Sequence, residues 1–247
     1  MVKFDMGAAW DDAVTLVKAH LPFTSILAGI FLFLPGMALA VLGPVPFAPP
    51  SDATPDQLMT LMLADMRQQL PWVLGIALAS TFGSIAILRL WLARAGTSVG
   101  EALAFAFAMI PTLIAIFAIQ MFLFGIAALL LILPAIYLVG RFSAVYPLLA
   151  DRDLKNPLTA LQGSWDLTRG NGWRIALFVI LFMIVLFVVS AITAGITGLF
   201  GVQGTFGHLI GSAINSAVSA AFGLLNTAVI ASIYRQLAVR ADGGVFA

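Results

Sequence analysis

No cysteine occurs in the chain, and charge is scarce: Asp, Glu, Lys and Arg make up only 9% of its 247 residues. The first absence excludes disulfides, thiolate metal centres and cysteine nucleophiles. The second excludes an ordinary water-soluble domain, in which about 25% of residues are charged. The net charge of +1 gives no polybasic footprint for nucleic acid. Walker loops, Gly-x-Ser-x-Gly elbows and His-Glu-x-x-His helices are also missing. No nucleophile–base pair stands out, and acidic residues, the usual mark of proton-coupled transport, are missing from the apolar stretches.

What is abundant is apolar: 62% of residues are hydrophobic. A bilayer crossing needs about 20 apolar residues at 1.5 Å rise each. Stretches at 22–43, 71–93, 102–122, 125–149, 173–199 and 207–236 meet that length. The expected fold is therefore an all-α integral membrane protein, a single domain over residues 1–247 with about six transmembrane helices. No charge occurs between residues 102 and 140, a run too long for one crossing. A turn is expected near residues 120–125, with Pro134 as a kink or alternative break. Because Asp5, Asp11, Asp12, Lys18 and His20 precede the first apolar run, the N-terminus does not have the form of a cleaved signal peptide.

Basic residues orient the bundle. With the N-terminus inside, Lys3, Lys18, Arg94, Arg152, Lys155, Arg169, Arg174, Arg235 and Arg240 fall on the cytoplasmic side, Arg89 and Arg141 nearer to it, and only Arg67 outside. Six crossings with both termini cytoplasmic follow. His20 and His208 then lie on opposite sides and cannot share a metal. Each of the five tryptophans (Trp10, Trp72, Trp91, Trp165 and Trp173) sits near an expected boundary, where an indole is favoured.

Caps and periodicity place three interfacial amphipathic helices, two cytoplasmic (8–20 and 157–168) and one external (55–69). In the first, Trp10, Val14, Val17 and Leu21 share a face. Thr54, Pro55 and Gln57 form a capping box that opens the external helix, with Leu58, Met59, Met62, Met66 and Leu70 on the bilayer. Asn156-Pro157 opens the third, with Leu158, Leu161 and Trp165 on one side. Residues 43–51 form a proline-rich external loop. A faint echo links Asp5, Ser98 and Asn156, each followed at the fourth and fifth positions by Ala9-Trp10, Ala102-Leu103 or Ala160-Leu161. It suggests three units, each a capped helix followed by a hairpin.

Two groups of residues are candidates for function. Arg141 lies roughly ten residues, about 15 Å, from the end of its span near Asp151. An arginine at that depth is costly and normally paired. It is expected to contact a lipid headgroup or anion together with Arg89, Arg169, Arg174, Trp165 and Trp173; the plainer alternatives are snorkelling, a pair with Glu101, or a carbonyl at a helix end. The second group is the last-span stripe of Gly207, Gly211, Asn215, Ser219 and Gly223, joined by Asn226 and flanked by Ser212 and Ser216. Close packing with amides bonding across helices is the preferred reading, and a polar path the alternative. The fifth span, from Ile175 to Val189, has almost no polar side chain and is expected to face lipid.

One stretch has a family resemblance. Leu131, Pro134, Tyr137, Gly140-Arg141-Phe142, Tyr146-Pro147, Ala160-Leu161 and the segment Ser164-Trp165-Asp166-Leu167-Thr168-Arg169-Gly170-Asn171-Gly172-Trp173-Arg174 resemble the membrane domain of some bacterial glycerophosphoryl diester phosphodiesterases and its stand-alone relatives. Ala135 stands where that pattern has glycine, so the break after Pro134 is expected to be softer. The resemblance covers about residues 95–235 and implies a six-helix inner-membrane protein. It does not extend to the hydrolase, whose barrel and metal ligands have no counterpart here. The functional expectation is a non-enzymatic membrane protein that organises lipids or partner proteins at the cytoplasmic leaflet, with a small-molecule or lipid transporter or channel as the alternative. Membrane lipids are the expected partners, a membrane protein or a second copy of the chain further ones; no nucleic acid, metal or cofactor is expected.

Overall fold

The computed structural model describes residues 3–45, 50, 52, 54–93, 96–130, 132–202 and 204–243, with side chains to residue 238. Arg94, residues 46–49 and 51 of the expected loop, Leu131 and the Arg240 side chain lie outside the described residues. Among the described residues there are ten α-helices: α1 Met6–Ala28, α2 Leu34–Leu42, α3 Pro55–Leu92, α4 Val99–Ala108, α5 Ile110–Leu130, α6 Ile132–Phe142, α7 Val145–Arg152, α8 Pro157–Leu167, α9 Gly172–Thr197 and α10 Phe206–Gly243. A π-helical turn, Gly29–Phe33, joins α1 to α2 without a break. Six helical segments are long and apolar enough to cross a bilayer: Met6–Leu42, Pro55–Leu92, Ile110–Leu130, Ile132–Arg152, Gly172–Phe200 and Phe206–Ala238.

Several expected boundaries are corrected. The helices expected at 8–20 and 22–43 are one continuous helix, and so are those at 55–69 and 71–93. Pro22 and Pro71 sit inside these helices; each removes one backbone hydrogen bond, and the remaining ladder holds the helix together. Pro55–Leu92, at 38 residues, is about 57 Å long and outruns a hydrocarbon core of about 30 Å. The span expected at 102–122 divides into α4 and α5 at Met109, and the turn near 120–125 does not exist. Helix α5 runs through that stretch to Leu130, and Pro134 sits in the first turn of α6. The span expected at 125–149 is α6 and α7, parted at Ser143-Ala144.

The caps form as the sequence indicates. Asp5 accepts from the Ala8 amide at 3.0 Å and Asn156 from the Leu158 amide at 2.9 Å, and capping boxes close at Thr54–Gln57 and Ser98–Glu101. Four residues after the caps at Asp5, Ser98 and Asn156, Ala9, Ala102 and Ala160 are all fully buried. The buried face of α1 is Ala9, Ala13 and Leu16; the face with Trp10 and Leu21 is exposed. Small alanines let α1 lie close against α10, to which it is also tied by Asp12–Arg235 at 3.1 Å.

Contacts run α2–α10–α9–α6–α5–α3 and back to α2, a ring of six helices. Lys18, Arg89, Arg152, Lys155, Arg169, Arg174 and Arg235 gather at one end of it, the basic end, together with the first and last helical turns of the chain. There α7 packs on α3, α8 and α10. Ile85, Leu88, Val145, Leu149, Val229 and Ile233 form a fully buried core at that end. The fifth span, expected to face lipid, is instead half core: Ile175, Ala176, Phe178, Val179 and Phe182 of α9 are buried, and its far half is exposed. Toward the opposite, distal end apolar side chains such as Met62, Leu199 and Phe206 are exposed.

Gly83 on α3 faces the π turn, and a Cβ there would lie 2.4 Å from the Phe31 Cβ, whereas a Cβ on Gly75 meets nothing within 4 Å. Gly83→Ala is expected to destabilise by about 1–3 kcal/mol, and Gly75→Ala to stabilise by up to about 1 kcal/mol. Thermal unfolding in detergent should move the two melting temperatures in opposite directions. The Ser98 amide and hydroxyl hold the Glu101 carboxyl below its ordinary value of 4.5. The folded value being the lower one, the cap's contribution is present above pH 4.5 and lost as pH falls through the folded value. Amide protection in Val99–Ala108 should drop on acidification, and Glu101→Gln should abolish that pH dependence.

Candidate functional site: an aromatic socket around Arg141

Helices α6 and α9 touch backbone to backbone. A Cβ on Gly140 would lie 2.1 Å from the Gly172 carbonyl oxygen and 2.8 Å from the Ala176 nitrogen. A Cβ on Gly172 would lie 2.8 Å from Arg141 Cδ and 2.9 Å from Tyr137 Cε2. Two glycines at the crossing allow an approach that no other residue permits. The crossing encloses Arg141, which is 2% exposed. Its guanidinium carbon lies 4.1 Å from the Trp165 ring centroid and 5.7 Å from that of Tyr137.

The main chain of Arg141 is held from the same side. Because α6 ends one residue later, the Arg141 carbonyl has no helical donor to meet. It accepts instead from the Ser164 hydroxyl at 2.8 Å and the Thr168 hydroxyl at 3.3 Å. Arg141 Nε is buried without a hydrogen bond. Among the described residues the only ion pair is Asp12–Arg235, so no carboxylate neutralises the Arg141 charge. The pairing with Glu101 does not form, since that carboxylate is taken by Ser98. Two features offset the buried charge. Indole is the strongest cation–π partner, and the last turn of α6 presents the negative end of its dipole.

The expected partnership of Arg141 with Arg89 also does not form. Arg89 donates from Nη1 to the Ala150 carbonyl at 2.7 Å and lies 4.3 Å over the Phe105 ring. The helix-end carbonyl considered as a partner for Arg141 is thus the partner of Arg89. Arg141 itself is withdrawn from the surface, which corrects the expectation that it contacts a headgroup directly.

The rim of the socket is exposed. Trp165 stacks at 6.1 Å from Tyr137 and 5.9 Å from Phe142, and Trp173 at 5.2 Å from Tyr137. Trp165 and Trp173 remain 40% and 56% exposed, and Arg169 and Arg174 are exposed beside them. Gly170 takes a left-handed φ of 79°, which turns the chain from α8 to α9. The buried Asn171 accepts from the Phe4 amide at 2.8 Å, fastening the N-terminal segment to this turn. Tyr137, Phe142, Ser164 and Thr168 were not singled out as functional from the sequence. The spacing of Tyr137 and Arg141, four apart and so on one helix face, was the available signal.

The last-span stripe divides in two. Gly207 and Gly211 are packing residues: a Cβ would lie 1.9 Å from the Phe200 carbonyl oxygen and 2.9 Å from that of Thr197. Gly223 faces Leu32. Asn215, Ser219 and Asn226 instead line a cavity of about 560 Å³ between α2, α3, α7 and α10, where they are joined by Ser80, Ser84 and Ser216. The expected amide bonds across helices do not form. The cross-helix polar contact at this level is Thr227 Oγ1 to Ser84 Oγ, 3.1 Å. His20, against Trp91, and His208, in the first turn of α10, lie at opposite ends of the bundle.

Removing either donor to the Arg141 carbonyl, by Ser164→Ala or Thr168→Val, is expected to cost about 1 kcal/mol. The double variant should cost more than the sum, because only then is the buried carbonyl left unpaired. Equilibrium unfolding of the four proteins measures that coupling.

A family described as a domain of unknown function (DUF7847) matches residues 123–237, an interval that holds the whole socket and the α10 wall of the cavity. No curated protein and no solved structure matches the chain.

Proposed function

We propose that this protein is a non-enzymatic, multi-pass protein of the bacterial inner membrane, with both termini cytoplasmic, that organises anionic lipid at the cytoplasmic leaflet. The observation that carries this reading is the exposed set of Trp165, Arg169, Trp173 and Arg174 on adjoining helix ends, held rigid by the buried Arg141 beneath them. Indole rings favour the headgroup region, and guanidinium groups pair with lipid phosphate. Arg141 acts in this scheme as a positioning residue. It fixes the Trp165 ring from below and adds its own positive potential, while Arg169 and Arg174 make the contact. Lys155 and Arg152 extend the basic surface. The resemblance of the Ser164-to-Arg174 segment to the membrane domain of some glycerophosphoryl diester phosphodiesterases supports the inner-membrane part of this reading.

A basic residue near an anionic surface contributes about 1 kcal/mol. The double variant Arg169→Gln/Arg174→Gln should therefore lose phosphatidylglycerol and cardiolipin adducts by on the order of tenfold in native mass spectrometry of the full-length protein. Phosphatidylethanolamine retention should not change. Undiminished retention of the anionic lipids would refute the reading.

A further inference from the structure

The cavity between α2, α3, α7 and α10 has no part in the Arg141 socket, and its lining is chemically unusual for an apolar bundle. Leu32, Gly36 and Leu39 face it from the first helix, Ser80 and Ser84 from α3, and Asn215, Ser216, Ser219 and Asn226 from α10. None of its lining residues is acidic, basic or a histidine. Asn215 and Ser219 are exposed, so the cavity communicates with its surroundings. Ser216 is only 7% exposed, yet its hydroxyl, which faces Gly36, makes no hydrogen bond among the described residues. The same holds for both carboxamides.

Toward the basic end the cavity is shut. Tyr146 of α7 forms its floor and donates to the Gln120 side chain at 3.0 Å, while Thr227 and Ser84 close a second contact at 3.1 Å. Beneath them Val145, Leu149, Val229 and Ile233 are fully buried. Hydrocarbon can neither donate to nor accept from a carboxamide, so lipid filling this space would leave several polar groups unpaired. The volume falls within the range of small-ligand pockets, about 300–1,000 Å³.

We propose that this cavity is a hydrated binding vestibule for an uncharged solute rich in hydrogen-bonding groups, such as a polyol, entered from the distal face and closed at the basic end by α7. An ion would find no counter-charge there. An apolar molecule would strand the amides and hydroxyls. A neutral solute with several hydroxyls satisfies donors and acceptors together, with Leu32 and Leu39 packing its carbon skeleton. The proposal shares the bilayer with the lipid reading but none of its residues.

The absence of cysteine makes the test direct. Single-cysteine forms of the full chain, Ser219→Cys, Ser84→Cys and Asn226→Cys, are exposed in oriented membrane vesicles to a charged, impermeant methanethiosulfonate from one face or the other. Ser232→Cys, at a fully buried position below the floor, is the control. The three cavity positions should be modified from the distal face alone and the control from neither. Silence at both Ser219→Cys and Ser84→Cys, or equal modification from the two faces, overturns the vestibule. The modification rate at Asn226→Cys, and at Ser219→Cys should that protein fold better, is then compared in xylitol and in potassium chloride of equal osmolality. Slowing of at least threefold by xylitol alone supports the ligand class; equal slowing by both solutes, or none by either, overturns it.

Discussion

The contact between Gly140 and Gly172 governs the basic end of this protein. Once two helix backbones touch, nothing larger than hydrogen fits between them, and the side chains on either side of the crossing have few places to go. Arg141 is forced beneath Trp165. Its carbonyl, left over by the end of α6, must be met by Ser164 and Thr168, because no water reaches it. The segment from Ser164 to Arg174 is one device: two hydroxyls for a carbonyl, an indole for a cation, a left-handed glycine for the turn and a second glycine for the crossing.

Much of the fold was legible because lipid leaves a sequence few choices. Apolar length and cap residues gave six helical segments long and apolar enough to cross a bilayer, and most helix starts. The errors came where two signals of the soluble world were given their usual weight. Proline normally ends a helix, but Pro22 and Pro71 do not: in apolar surroundings any alternative to the helix leaves more backbone groups unpaired than the one each proline removes. A polar residue in an apolar run suggests a turn, but Gln120 is there to accept the Tyr146 hydroxyl. On α1 the large side chains of Trp10 and Leu21 stay exposed while the small Ala9 and Ala13 face the protein, a face that apolar size alone does not mark.

The candidate site was legible in its members and not in their roles. A four-residue period identifies one face of a helix but says nothing about what stands opposite. Gly207 and Gly211 stand opposite the end of α9 and pack. Asn215, Ser219 and Asn226, on the same stripe, stand opposite a gap between α2 and α3 and line a cavity. Arg141 was correctly marked as costly. That its compensation is aromatic, and that Arg89 rather than Arg141 takes a helix-end carbonyl, depends on a crossing geometry that spacing does not encode.

The two regions meet at α7. This short helix floors the cavity with Tyr146 and is separated from Arg141 by only Phe142, Ser143 and Ala144. Arg89 holds its Ala150 carbonyl, and Tyr234 donates to the Asp151 carboxylate. Opening the cavity toward the basic end would require α7 to move, and any such movement would break these bonds and pull on the non-helical link at Ser143-Ala144. A lipid that stiffens the rim of the socket would therefore resist that movement, and a solute that favoured it would weaken the lipid contact by the same factor, since binding free energies linked through one element are reciprocal. Helix α7 is held by the bonds of Arg89 to its Ala150 carbonyl, of Tyr146 to Gln120 and of Tyr234 to Asp151, while the cation–π contacts of Arg89 with Phe105 and of Arg141 with Trp165 brace α3 and α8, the helices it packs on.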